Sequence, residues 1–209
     1  MEAYLGTVLI RFAHIFFGIL WIGLLYYFNF VQTEYFKESE ASAKADVVQK
    51  LVPNALWYFR WAAAFTFLTG FYLLYFLSIT VNIGILLGAL MGTIMAANVW
   101  FIIWPNQKKV IAGAPDAADA GAKAGLASRT NTLLSIPMLY LMVYSAHGGG
   151  LPLIAESSLM GLWIGLVFIL AIEVNALVGK MNPAIASVKA VIHSGIVLTL
   201  VFGALVHYF

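Results

Sequence analysis

Six stretches of the chain, approximately 4–31, 54–78, 80–105, 132–147, 156–178 and 186–208, are apolar over lengths that reach across a bilayer. A spanning helix needs about 20 mostly apolar residues. Hydrocarbon offers backbone N–H and C=O groups no partner, so each such stretch must satisfy its own hydrogen bonds as a helix. The fourth is the shortest and is expected to borrow a turn from the polar segment before it. Composition agrees: 63% of the 209 residues are hydrophobic and 10% are charged, against about 25% charged in a soluble domain. The expectation is an all-α membrane protein, a single domain over residues 1–209 forming a six-helix transmembrane bundle. The apolar run at the N-terminus outlasts a signal peptide and has no positive region before it, so it is expected to be a retained first span.

The distribution of Lys and Arg orients the bundle. The segment after the first stretch holds Lys37, Lys44 and Lys50, and that after the third holds Lys108, Lys109, Lys123 and Arg129. Lys180 follows the fifth, and Lys189 enters the sixth. The connections near Ser78 and from Gly148 to Ala155 hold neither residue type. Cytoplasmic loops collect Lys and Arg, so both termini are expected outside, N-out and C-out. Residues 33–52 read as an interfacial helix, and 112–127 as a flexible linker or a weak surface helix.

The chain has no cysteine. That excludes disulfides, thiolate-held iron–sulfur clusters and covalent haem attachment through Cys-x-x-Cys-His. Four histidines remain, and orientation gives each a depth. His14 and His193 fall toward the middle of their helices, whereas His147 and His207 fall near the outer face. His193 and His207 are 14 residues apart, on nearly one helix face and ~21 Å apart along the axis. That spacing suits bis-histidine haem: a middle haem between His14 and His193, and an outer one between His147 and His207. One haem b is favoured over two, because interfacial residues account equally well for the outer pair, whereas ionisable groups at mid-depth are rare and functional. Small residues give such a group room: Gly18 one turn from His14, with Gly195 and Gly203 beside the other histidines. The same glycines also read as plain helix-packing positions. Arg11 is placed to pair with a haem propionate. A non-haem iron or copper triad is disfavoured, since no Asp or Glu lies at the depth of His14.

A second polar layer lies toward the cytoplasm. Arg60 and Glu173 match in depth as a candidate ion pair, and Asn98 and Asn29 fall beside them. They read either as a quinone, proton or polar-substrate pocket or as ties between helix ends. Trp57, Tyr58, Trp61, Trp100 and Trp104 read as an interfacial aromatic belt.

Three stretches carry a resemblance. "HIFFGILWIGLLYYFNFVQ" resembles the first helix of the urate oxidase N-terminal membrane domain, found in membrane-bound bacterial urate hydroxylases. The same stretch is also similar to copper-resistance and haem-dependent protoporphyrinogen oxidase membrane families. "NVWFIIWPNQKKVIAG", residues 98–113, resembles the first family's Asn…Pro-Asn-Gln-Lys-Lys helix end, and "SRTNTLLSIPMLYLMVYSAH", residues 128–147, its Ser-Arg-x-Asn…Pro…Met…His segment. The resemblance places weight on His14, Asn98, Pro105, Asn106, Gln107, Arg129, Asn131, Pro137 and His147, and it implies a redox module of a bacterial inner (cytoplasmic) membrane. Urate-type members have more helices and a C-terminal cytochrome c domain, so any acceptor for this chain is expected on a separate polypeptide.

The leading expectation is a haem-b cytochrome that passes electrons between a quinol or small substrate and a separate cytochrome c or respiratory complex. The alternatives are a urate-hydroxylase-like oxidoreductase using a separate cytochrome c, and a cofactor-free accessory subunit of a respiratory complex. A transporter is disfavoured by the lack of inverted repeats and matched broken helices, and no nucleic-acid partner is expected.

Overall fold

The computed structural model describes residues 2–76, 81–147 and 156–209, and these are helical almost throughout. Helix α1 (Glu2–Tyr26) passes through a π-helical turn, π1 (Tyr27–Gln32), into α2 (Thr33–Glu38). Then come α3 (Ala41–Lys50) and α4 (Val52–Phe76). Helix α5 (Ile83–Ala97) continues through a second π turn, π2 (Asn98–Ile103), into α6 (Trp104–Ile111). The chain ends with α7 (Ala117–His147), α8 (Glu156–Val178) and α9 (Val188–Tyr208). The connections near Ser78 and from Gly148 to Ala155 lie outside the described residues.

Four helical runs are long and apolar enough to cross a membrane: Gly6–Glu38, Ile83–Ile111, Leu159–Val178 and Val188–Tyr208. The other two apolar stretches read from the sequence lie in α4 and α7. Asn54 and Arg60 dilute the first; the second is short, holds Pro137, Tyr140, Tyr144 and His147, and is preceded by Arg129 and Asn131. Helix α1 leaves Phe12, Ile15, Phe16 and Ile19 each more than half exposed. In water that face would be an aggregation liability; against acyl chains it is the expected surface.

From Ala117 the segment 112–127 is a helix rather than a flexible linker, with Ala118, Asp119, Ala122 and Lys123 exposed on one face. Gly113, at φ 62°, turns the chain out of α6, and a Lys109 Nζ–Asp116 Oδ2 ion pair of 2.6 Å closes that turn. From Ala117 the chain is helical, and Ala120, Ala124 and Ala127 are at most 2% exposed. Their spacing of i, i+4 and i+7 puts three methyl groups on one stripe, which lets the helix pack closely. The fourth stretch therefore gains several turns on its N-terminal side rather than one.

The contacts divide the chain into two compact units, Met1–Leu77 with Ala96–Ser128, and Ser78–Met95 with Arg129–Phe209. In the first, α1 lies along α4 and buries Trp21 and Leu25 together with Leu56, Phe59, Ala62 and Ala63. Phe17 stacks on Phe65 at 4.8 Å, and Phe28 meets Phe59 edge-on at 5.5 Å.

In the second unit, glycines set the helix spacing. A Cβ on Gly88 would touch Leu141 and Met142, and one on Gly92 would touch Met138. Gly165 faces Leu87 and Leu205, and Gly195 faces Ile136. Lipid is as apolar as leucine, so helices associate there through close packing and hydrogen bonds rather than through escape from water. Asn131 Nδ2 supplies one such bond, donating to the Met95 carbonyl at 2.9 Å. Asn82 caps α5: its Oδ1 accepts from Ile85 N at 2.9 Å and from Ser145 Oγ at 3.0 Å.

A Cβ at Gly165 would lie 2.6 Å from Leu87 Cδ1 and 3.2 Å from Leu205 Cδ2, whereas one at Gly125 meets nothing within 4 Å. Gly165→Val is therefore expected to destabilise by about 1–3 kcal/mol through overpacking. Gly125→Ala is expected to be neutral or stabilising by up to about 1 kcal/mol through helix propensity. Thermal unfolding of the two variants in detergent separates these outcomes.

Candidate functional site

His14 is half-buried in the first unit, where α1 meets α4. Its Nδ1 lies 3.0 Å from the Thr66 carbonyl and 3.1 Å from Thr69 Oγ1. A carbonyl only accepts, so Nδ1 carries the proton. The Thr69 hydroxyl donates to the Phe65 carbonyl at 2.6 Å, which leaves its oxygen free to accept from the imidazole. One N–H thus bridges two acceptors on α4, and in the neutral ring this leaves the lone pair on Nε2. Gly70 makes this possible: a Cβ there would stand 2.8 Å from His14 Cε1. Gly18, expected from its spacing to give His14 room, instead takes the Thr66 methyl at 3.8 Å. The glycine that serves the imidazole is on the other helix. Arg11, one turn before His14, is exposed on α1.

Toward the other end of this unit, each π turn carries a buried asparagine. Asn29 in π1 is 4% exposed and Asn98 in π2 is 2% exposed. Asn29 Nδ2 donates to the Leu25 carbonyl at 2.9 Å and to Ser128 Oγ at 2.8 Å. A π turn inserts one residue into the helical ladder, and such turns recur at functional sites. The Asn29 amide covers a carbonyl at the mouth of π1 that would otherwise face an apolar interior. Arg60 on α4 shares this unit with both asparagines. Its guanidinium lies 3.9 Å from the Trp104 ring centroid and 5.9 Å from those of Trp61 and Trp100. Part of the aromatic belt therefore has a second task, as walls around a cation. Glu173, the partner expected for Arg60, is half-buried on α8 in the second unit.

The other three histidines belong to the second unit and are exposed. The buried face of α9 is built from Val191, Gly195, Phe202, Leu205 and Val206, so His193 and His207 occupy its open side. His147 ends α7. Between α7 and α9, His207 lines a groove of ≈ 290 Å³ with Tyr140, Tyr144, Gly203 and Tyr208. That volume lies at the bottom of the range for small-molecule pockets, roughly 300–1,000 Å³. Gly203 faces the Tyr140 ring there, and Gly195 is filled by Ile136, so both serve packing. Among the described residues no group of three or more His, Asp or Glu side chains is gathered as a metal site.

Sequence reasoning missed Thr66, Thr69 and Gly70. A usable signal was present: two hydroxyls and a glycine within five residues of an apolar helix, the composition that receives a polar side chain from a neighbour. Gly70→Ala is expected to push the imidazole off its acceptors and to destabilise by about 1–3 kcal/mol. Thr69→Val, which keeps the shape and the Thr66 carbonyl, is expected to cost about 1 kcal/mol. Denaturation midpoints in detergent test the order of the two.

Neither the curated proteins nor the solved structures gave a match to this chain. The family model described as urate oxidase N-terminal matches residues 82–205, more than half of the sequence. The match takes in the 98–113 and 128–147 motifs with His147 and His193, and it leaves the first motif with His14 outside. The chain belongs to the urate oxidase N-terminal family.

Proposed function

We propose that this chain is a membrane redox module that binds one haem b with His14 as an axial ligand. It passes electrons between a quinol or small substrate and a separate carrier. The observation that carries the reading is the His14 Nδ1 bond to the Thr66 carbonyl at 3.0 Å. Metal-ligating histidines almost always donate their second ring N–H to a carbonyl, carboxylate or water, which fixes the tautomer and raises ligand basicity. The donor chemistry fits: Nε2 is a neutral imidazole nitrogen on a ring already oriented. Arg11, one turn before His14 on the same helix, is the candidate propionate partner. Haem b, when bound, supplies one-electron chemistry at a potential set by its axial ligands and burial. The contribution of the chain is to hold the imidazole, keep its proton on Nδ1 and exclude water.

The module is a six-span bundle with both termini outside, in a bacterial inner membrane. The Lys and Arg asymmetry supports this orientation. Membership of the urate oxidase N-terminal family favours a second reading, a urate-hydroxylase-like oxidoreductase that uses a separate cytochrome c.

Oxidised and dithionite-reduced visible spectra of the purified protein, with a pyridine haemochrome for stoichiometry, test the haem. A Soret and a sharp α-band at one haem per chain are expected. His14→Ala abolishes them and His147→Ala leaves them intact; a colourless folded protein overturns the reading in favour of an accessory subunit. Orientation is tested separately, because the native chain has no cysteine to interfere. In intact cells made permeable only at the outer membrane, Tyr208→Cys is expected to react with an impermeant maleimide and Lys123→Cys to be protected. The reverse pattern would invert the topology.

A further inference from the structure

Two cations in the first unit converge on one indole. The Arg60 guanidinium lies 3.9 Å from the Trp104 ring centroid, and Lys108 Nζ lies 5.4 Å from the same ring. The arrangement is held in place: Trp100 Nε1 donates to the Arg60 carbonyl at 3.1 Å, tying π2 to α4. An indole face attracts a cation, yet two like charges sharing one ring repel each other. Arg60 Nε is moreover buried with no hydrogen-bond partner among the described residues. The acids of this unit that form ion pairs are committed elsewhere, Glu34 to Lys37, Asp46 to Lys50 and Asp116 to Lys109. The hydrogen bond from Lys109 holds the Asp116 carboxyl below its ordinary range. Among the described residues neither Arg60 nor Lys108 forms an ion pair with an acid, so both cations are open to an anion from outside the chain.

The surroundings say which kind of anion. Phe101 of π2 is 79% exposed, and Trp57, Tyr58 and Trp61 of α4 are each more than a third exposed. A soluble anion would leave this aromatic surface bare, whereas a lipid brings acyl chains with its charge. Basic residues at the cytoplasmic end of membrane helices, framed by tryptophan, are how anionic headgroups are held. We propose that Arg60 and Lys108 bind the phosphate of an anionic phospholipid, whose acyl chains lie on Phe101 and Trp61. The site is independent of the haem reading and requires only that this end of the unit lies at the membrane surface.

The test uses the full-length protein in phosphatidylcholine vesicles containing brominated phosphatidylglycerol or, separately, brominated phosphatidylcholine. Bromine quenches tryptophan on contact, so the emission reports the relative affinity for the two lipids. A preference of about thirty-fold for phosphatidylglycerol is expected, the ratio given by two basic side chains at the usual strength of a lipid charge contact. Lys108→Gln, at an exposed position that leaves the fold intact, lowers it about fivefold. Arg60→Gln lowers it further, and Lys37→Gln, whose lysine is paired, leaves it unchanged. Equal quenching by both lipids, or a preference untouched by Lys108→Gln, overturns the proposal. Millimolar inorganic phosphate leaves the quenching unaltered if the ligand is a lipid; displacement by phosphate would assign the site to a soluble anion and overturn it too.

Discussion

A chain whose helices sit in hydrocarbon must settle every polar group from within, because the solvent offers nothing in exchange. The backbone meets this by staying helical, and the polar side chains follow by bonding to carbonyls one turn back or on a neighbour. Thr66 Oγ1 donates to the Ala62 carbonyl at 2.7 Å, Thr93 Oγ1 to that of Ala89 at 2.8 Å and Thr199 Oγ1 to that of Gly195 at 2.8 Å. Asn29 and Asn131 do the same with their amides. His14 is the case in which the constraint leaves something over. Its Nδ1–H is consumed by α4, and in the neutral ring the second nitrogen keeps a lone pair. What that lone pair meets is the functional question.

The two π turns obey the same rule at higher cost. Each widens the helix and breaks the four-residue ladder, and each is accompanied by a buried asparagine. They are also where the sequence motifs of the family resemblance end or begin: "YYFNFVQ" closes the first motif, and "NVWFII" opens the second. A local departure from regular helix, kept inside an apolar unit and stabilised by an amide, is a feature that stability alone does not call for. Around π2 the same segment supplies Trp100 and Trp104 to the Arg60 cage, so one irregular turn positions both a buried amide and a framed cation.

Much of the helical architecture was legible because it rests on run length and composition, which a sequence carries directly. The partners of His14 were not, because they depend on the rotation of α4 about its own axis. Thr66, Thr69 and Gly70 look like ordinary members of an apolar helix until that rotation is known. The same reason explains Gly18, which lies one turn from His14 in sequence but faces Thr66. The segment 112–127 misled through its Ala, Gly and Asp content, which is shared by linkers and by close-packed helices. Only the spacing of Ala120, Ala124 and Ala127 separates the two. On α9 the fourteen-residue spacing of His193 and His207 correctly put both on one face, but the sequence did not say that this face is the open one.

The proposed haem site requires a neutral His14 with its proton on Nδ1 and the lone pair on Nε2. Nitrogen-15 spectra of histidine-labelled protein, assigned by comparison with His14→Ala, read that tautomer directly. A protonated Nδ1 coupled to a bare Nε2 that shifts or broadens when haem is added is the predicted result. An Nε2–H tautomer, or a His14 resonance indifferent to haem, would contradict it.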